Sequence, residues 1–326
     1  MIVVFALLGL VGFNLGEWVV TAAGATQPQA EPPVMLQEGL ERPYSAPPIS
    51  GITHWLNSSP LDQAALKGKV VLIDFWTYSC INCIRTLPYL KAWHEKYKDQ
   101  GLVIIGVHAP EFAFEGKREN VEKAIQKFGI RYPVAMDNDF ATWKNYKNRY
   151  WPAHYLIDRN GQVVYTHFGE GEYEVTETNI RQLLGLKEAT QLNLEKDEVV
   201  AAGQTPETYL GTERSENEST AVKDKLPLHH WALQGKWRRT GEYIESQTKN
   251  SALTLHYRAK KVFLVMASQD QMPKTVLIKQ NSAEKRLTVD DSRLYEIALN
   301  PAQENNQVSI IAESPGLRMF AFTFES

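Results

Sequence analysis

The chain has little of what many function classes need. Its 326 residues include only two cysteines, Cys80 and Cys83. That is too few for a disulfide-stapled scaffold and, without histidine help, too few for a four-ligand zinc site. There is no basic excess. Lys and Arg number 35 against 38 Asp and Glu, a formal net charge of −3, so no nucleic-acid footprint is present. No Lys or Arg precedes Arg42, and the apolar opening "MIVVFALLGLVGF" therefore lacks the charged flank of an ordinary signal peptide and carries no inside–outside orientation. Apolar residues are plentiful. At 43% over this length they suffice for two cores.

Composition shifts divide the chain. Residues 1–25 read as a signal peptide or membrane anchor, with Ala22, Ala23, Gly24 and Ala25 offering a cleavage site. The bulk is then expected outside the cytoplasm, membrane-associated if the leader stays. Residues 26–50, with Pro32, Pro33, Pro43, Pro47 and Pro48, read as an extended tether. Residues 51–186 form an α/β unit. It opens on a short hairpin in "GITHWLNSSPLDQAALKGK". The unbroken apolar runs "KVVLIDFW" and "LVIIGVHA" predict buried central strands. Leu87, Leu90, Trp93 and Tyr97 fall at helical spacing, and "AHYLIDRNGQVVYTHFG" predicts a hairpin about Asn160–Gly161. Residues 187–228 are acidic and weakly periodic, a linker in which "TPETYLG" stands out without an evident chemistry. From 229 to 326 the period falls to two, and short alternating strands predict a β-sandwich, jelly-roll-like.

Both thiols lie in "DFWTYSCINC". Cys80 follows a buried strand and should open a helix, where free N–H groups and the helix dipole favour a thiolate. Cys83 sits one turn on, within reach but shielded. The spacing divides the work: Cys80 attacks a client disulfide, and Cys83 resolves the mixed disulfide. Asp74, a lone carboxylate in an apolar strand, is expected to be poorly solvated and to pass a proton to or from Cys83. Pro152 opens a strand, and a cis Trp151–Pro152 bond would present a peptide-binding edge to the thiols. Other readings of the pair stay open. It could be an inert disulfide. It could be half of a copper site with His108 or His154. A peroxidase reading of Thr77-x-x-Cys80 is weakened by Ile73, which stands where a proline is expected.

These motifs resemble the thioredoxin superfamily. Asp74, Phe75 and Trp76 match its strand motif, Cys80 and Cys83 its CxxC, Pro88 its helix proline and Pro152 its cis-proline. "GKVVLIDFWTYSCINC", "GVHAPEF", "NRYWPAHYLIDRNG", "HFGEGEY", "TPETYLG" and the ending "RMFAFTF" look most like the soluble part of DipZ-type cytochrome c biogenesis proteins, relatives of TlpA. The resemblance implies a periplasmic or extracytoplasmic thiol–disulfide oxidoreductase with a redox-active Cys80–Cys83 disulfide. Substrate contacts would fall at Trp151 and Pro152. No cofactor or metal is implied. A CcdA-like membrane protein would donate the electrons, and protein disulfides would be the substrates. It also implies a carbohydrate-binding-module-like C-terminal domain, in which Trp231, Trp237, Tyr243 and Tyr257 are candidate sugar-stacking rings. The alternatives from other classes are a glycan- or wall-associated adaptor and a copper-delivery protein.

Overall fold

Val70 to Trp76 offer no polar face, and that run organises the first half of the molecule. The structure is a computed structural model and describes residues 35–186, 202–219 and 226–325. The expected leader at 1–25, the start of the tether and most of the acidic linker lie outside the described residues. Among the described residues no helix is long and apolar enough to cross a membrane.

In chain order the first unit comprises β1 (Tyr44–Ser45), β2 (His54–Leu56), α1 (Gln63–Leu66), β3 (Val70–Trp76), α2 (Ile81–Tyr97), β4 (Leu102–His108), α3 (Arg118–Phe128), β5 (Val134–Met136), α4 (Ala141–Asn145), β6 (Ala153–Ile157), β7 (Gln162–Phe168) and α5 (Tyr173–Leu184). Its sheet runs β1-β7-β6-β3-β4-β5-β2. β3 lies at the middle, parallel to β4 and antiparallel to β6. Alternate residues of β3 enter different cores. Val70, Leu72 and Trp76 join the helix α2 face with Leu87, Leu90 and Trp93. Val71, Ile73 and Phe75 join the opposite face with Tyr146 and Tyr155. The period of two therefore turns Asp74 toward α2.

Two expectations are corrected here. The "GITHWLNSSPLDQAALKGK" stretch is no hairpin: β2 pairs with β5 across the sheet, and Asp62 caps the short α1 through Ala65 N. The end of the proline-rich stretch is no free tether either. β1 pairs with β7, and Leu40, Ala46 and Ile49 pack on the sheet. Proline allows this because an edge strand needs few ladder donors.

The second unit is all β. Its strands are β8 (Thr208–Tyr209), β9 (Trp231–Gln234), β10 (Trp237–Arg239), β11 (Ile244–Ser246), β12 (Ala252–Arg258), β13 (Lys261–Ser268), β14 (Lys274–Gln280), β15 (Ala283–Val289), β16 (Arg293–Leu299), β17 (Asn305–Ala312) and β18 (Leu317–Glu325). They form two antiparallel sheets, β10-β11-β18-β13-β16 with β8 on β18, and β15-β14-β17-β12-β9. One core takes side chains from both, including Leu253 and Ile310 from one sheet and Leu264 and Phe322 from the other. Trp231 and Tyr257 are wholly buried in it, so neither ring is open to a sugar. Trp237 packs against the same core, and Tyr243 packs on Phe320.

The two units meet on the CxxC side of the first. Phe320 of β18 lies 5.0 Å from Phe112 and 4.9 Å from Phe114, ring centre to ring centre. Around this apolar patch, Arg85 Nη2 of α2 donates to Phe324 O at 3.1 Å, and Ala113 N donates to Glu242 Oε1 at 3.1 Å. Glu115 ties the underlying loops together. It is fully buried and accepts four donors: Ser79 Oγ at 2.6 Å, Ser79 N at 3.2 Å, Glu111 N at 2.6 Å and Phe112 N at 3.0 Å. Burial, and then the charge of Glu111, push its carboxyl up to about 7 against the pull of those donors.

Phe320→Ala should lower stability by about 3–5 kcal/mol, read from urea unfolding, because it empties the centre of this contact. The pH dependence of Glu115 has a definite sign. Its folded carboxyl titrates near 7 and an ordinary one at 4.5. Its contribution is therefore favourable below that lower value and is lost as the pH rises toward 7. Glu115→Gln should remove this slope. The difference in urea stability between variant and parent should change by up to about 3 kcal/mol across that window.

Candidate active site

The strand–helix junction builds the site. Cys80 is the N-cap of α2, and its Sγ accepts the Cys83 N–H at 3.4 Å. Cys80 is partly exposed and Cys83 is 1% exposed. Both are free thiols in this structure. Burial pushes the Cys83 thiol well above its ordinary range, and the adjoining Cys80 and the charge of Asp74 push the same way. One sulfur is thus partly open to solvent, and the other is held as a thiol beneath it.

The Trp151–Pro152 bond is cis and leads into β6. The Trp151 ring lies 4.3 Å from that of Trp143, and its Nε1 donates to Ala109 O at 3.1 Å. These contacts fix it beside a groove of ≈ 590 Å³ that also takes in Cys80, Tyr150, Phe168, Glu207 and Tyr209. Tyr150 and Phe168 are 54% and 48% exposed, with ring centres 5.4 Å apart. They give the rim an apolar patch.

The opposite wall comes from the "TPETYLG" segment and its neighbours. Its pairing with β18 brings it here from a stretch expected to be linker. Tyr209 Oη lies 2.8 Å from Glu111 Oε1 and 2.8 Å from Glu207 Oε2. A phenol has a single proton, so one of these contacts needs a proton from the carboxyl side. Glu207 is the group suited to carry it, since desolvation and then the charge of Glu111 push its carboxyl up to about 7. Arg214 pairs with Glu111 at 2.9 Å and stacks 3.7 Å over the Tyr209 ring. The residue types of the "TPETYLG" segment alone carry no evident chemistry. Its role depends on a fold-back contact 98 residues apart.

Asp74 is fully buried below the pair, on the α2 face of the sheet. His154 Nε2 lies 3.3 Å from Asp74 Oδ1. The alignment makes no hydrogen bond, and neither side chain has a hydrogen-bond partner within the protein. His108 is also buried, its Nε2 3.4 Å from Thr77 Oγ1, and burial drops its ring to about 3. Among the described residues no three or more His, Cys, Asp or Glu side chains converge as a metal ligand set. The structure thus places Cys80 and Trp151 on one groove, with buried Pro152 next to Trp151 in the chain and Cys83 and Asp74 underneath. Glu115, Tyr209, Glu207 and the Asp74 neighbour His154 were not singled out for these positions by sequence.

Comparison with known proteins agrees with this geometry. Residues 45–184 match the family described as Redoxin, and residues 205–324 match the "Thioredoxin like C-terminal domain". The chain is 41% identical over 312 residues to Protein DipZ of Mycobacterium tuberculosis and of Mycobacterium bovis. The match takes in 87% of this chain and 43% of each relative, so the chain spans less than half of their length. It is 30% identical over 128 residues to thiol-disulfide oxidoreductase ResA of Bacillus thuringiensis, a match that covers 39% of this chain and 71% of ResA. With the CxxC at the start of α2 and the matched span reaching from β1 to α5, the chain belongs to the thioredoxin/redoxin superfamily and is related to the DipZ-type thiol–disulfide proteins.

Proposed function

We propose that the chain is an extracytoplasmic thiol–disulfide oxidoreductase that reduces client protein disulfides. The observation that carries this is the pairing of a partly exposed Cys80 sulfur, approached by the Cys83 amide, with a buried Cys83 thiol one turn below. Cys80 attacks a client disulfide and releases the first client thiolate. Cys83 then loses its proton and attacks Cys80 Sγ. The client leaves reduced, and a Cys80–Cys83 disulfide remains. Asp74 handles the Cys83 proton. Trp151 and the backbone at Pro152 bind the client chain alongside Cys80, with Tyr150 and Phe168 as the apolar rim.

A dithiol donor restores the pair, and a CcdA-like membrane protein is the donor class we propose. The apolar segment 1–25 supports export or anchoring. Within the superfamily the "GVHAPEF" and "TPETYLG" segments support a TlpA-like position near DipZ, with work in cytochrome c biogenesis. Paired β1 and β8 support two working units, from Tyr44 to Leu184 and from Thr205 to Glu325. Both are wider than composition alone suggests. Two antiparallel sheets about one core support a jelly-roll-like second unit. Trp231 and Tyr257 are core residues, so a glycan bound by the second unit would have to stack on the partly exposed Trp237 and Tyr243.

The test is insulin reduction with a dithiol as electron source. Cys80→Ser should abolish turnover. Cys83→Ala should trap a Cys80–client conjugate visible on non-reducing gels. An intact conjugate yield in Cys80→Ser, or equal alkylation of the two thiols in the folded protein, would sink the assignment.

A further inference from the structure

The β-ladder registers line up ionisable groups on one face of the sheet. Asp74 of β3 is paired with His154 of β6, and His154 with His167 of β7. Cross-strand partners present their side chains to the same face, here the face covered by α2. On the far side of Asp74 its ladder partner is Gly106. A side chain there would meet Trp76 Nε1 at 2.9 Å and Tyr132 Cε2 at 3.1 Å. The row therefore extends only toward β7. His154 and His167 ring centres are 6.3 Å apart. His167 is half-buried, and its Nε2 lies 3.3 Å from Glu170 O at the surface beside Arg85.

We propose that Asp74, His154 and His167 form a proton relay that carries the Cys83 proton from beneath the thiol pair to solvent. This rests on the reading of Cys83 as the resolving thiol. In that step the Cys83 S–H bond breaks, and its proton enters the Asp74–His154 pair. The electron pair left on Cys83 Sγ forms the bond to Cys80 Sγ. The Cys80–client S–S bond breaks, and the client sulfur leaves as a thiolate protonated by water. The client gains two electrons that the Cys80–Cys83 pair loses. A dithiol later reverses this, returning the proton by the same row.

Three observations support it. Asp74 and His154 are buried 3.3 Å apart, yet neither is locked in a hydrogen bond. Buried polar atoms without hydrogen-bond partners are costly to the fold, and this pair keeps that cost directly beneath the thiol that must lose a proton. Second, the Cys83 thiol is pushed up by burial, so its proton needs an acceptor nearby. Third, burial and then the charge of His154 hold the His167 ring below its ordinary range, so it is neutral and able to accept at neutral pH. The ionisable groups facing the pair are Cys83 from α2, His167 from β7 and Tyr132 ahead of β5, which burial keeps protonated. The charges of Glu172 and Glu38 and the backbone carbonyl of Glu170 face His167, the Glu170 carboxylate being paired with Arg85.

Single-turnover reaction of the reduced chain with dithiobis-nitrobenzoate separates the steps. One coloured thiolate leaves when Cys80 attacks and a second when Cys83 resolves. His154→Gln should slow the second release about a hundredfold near neutral pH and rejoin the parent in alkaline solution, where hydroxide takes the proton directly. His167→Gln should slow it about tenfold and recover with added free imidazole. A second release unchanged in both variants overturns the relay, as does slowing that is equal at every pH. Loss of the first release in the parent protein would instead overturn the parent reading. If His154→Gln does not fold, the imidazole nitrogen resonances of the unaltered protein decide. His154 signals that shift between dithiol and disulfide states support the relay, and unshifted ones sink it.

Discussion

The first turn of α2 holds one N–H against one sulfur, and the rest of the site is arranged around that contact. Cys83 N can point at Cys80 Sγ only if the chain leaves β3 in an extended conformation and turns into the helix at Cys80, whose φ is −78° and ψ is 118°. Two clamps fix that turn. β3 is hydrogen-bonded on both sides and buried on both faces, so its end cannot drift. Beyond it, Ser79 is held from below by Glu115 through both backbone and hydroxyl. The exposure difference between the two thiols follows from helical geometry. Residues three apart share a face, so the difference is one of depth: Cys83, a turn into the covered helix, is buried, and Cys80 at the N-cap lies at the open helix end.

The same helix sets the relation between the two units. Arg85, on the second turn of α2, bonds Glu170 of its own unit and the Phe324 carbonyl of β18. Its ion pairs are partly exposed and contribute little by themselves. The stabilisation comes from apolar rings. Phe112, Phe114, Phe320 and Tyr243 close over one another while β18 sends Phe322 and Phe324 into its own core. β18 is therefore a shared wall, and β8 rides on it. The consequence reaches the chemistry. Tyr209 stands in the groove because β8 is paired to β18, and β18 is seated on the loop that follows β4. That docking gives the groove two walls, one from Tyr150, Trp151 and Phe168 of the first unit and one from Glu207 and Tyr209 of the second.

Legibility tracked how local the deciding interaction is. The strand from Val70, the helix after Cys80 and the hairpin about Asn160–Gly161 could be read because run length, helical spacing and turn chemistry are local signals. β15 escaped notice. It is an edge strand with Glu284, Lys285 and Arg286 exposed, so no apolar alternation marks it. Glu115 sits in "EFAFEGK" and looks like a surface loop residue. Its partner Ser79 is 36 residues away. Trp231 and Tyr257 look like sugar platforms until the second sheet covers them. The placement of the thiols at the start of α2 and of Asp74 in a buried strand was legible because run length and residue spacing carry it. The wall at Tyr209 was not, because nothing near "TPETYLG" tells which strand it will join.

Several unbonded buried polar atoms lie close together on one face of the first sheet. Asp74 Oδ1 and Oδ2, both His154 ring nitrogens, Trp76 Nε1, Trp93 Nε1 and Tyr132 Oη have no hydrogen-bond partner within the protein. Trp76, Trp93 and Tyr132 belong to the cluster that holds Cys83. A sequence selected for stability alone would pair these groups or replace them with hydrocarbon of similar shape. Leu72 and Leu156, the next residues along the same face of β3 and β6, show that hydrocarbon fits there. Concentrating polar atoms beneath a thiol that must lose and regain a proton makes a different kind of sense. A carboxylate fixed by strong donors would hold one charge state, whereas one among loosely placed donors can change its charge as the sulfur above it changes partners. The departure from good packing chemistry thus falls where the proposed reaction needs a proton to move.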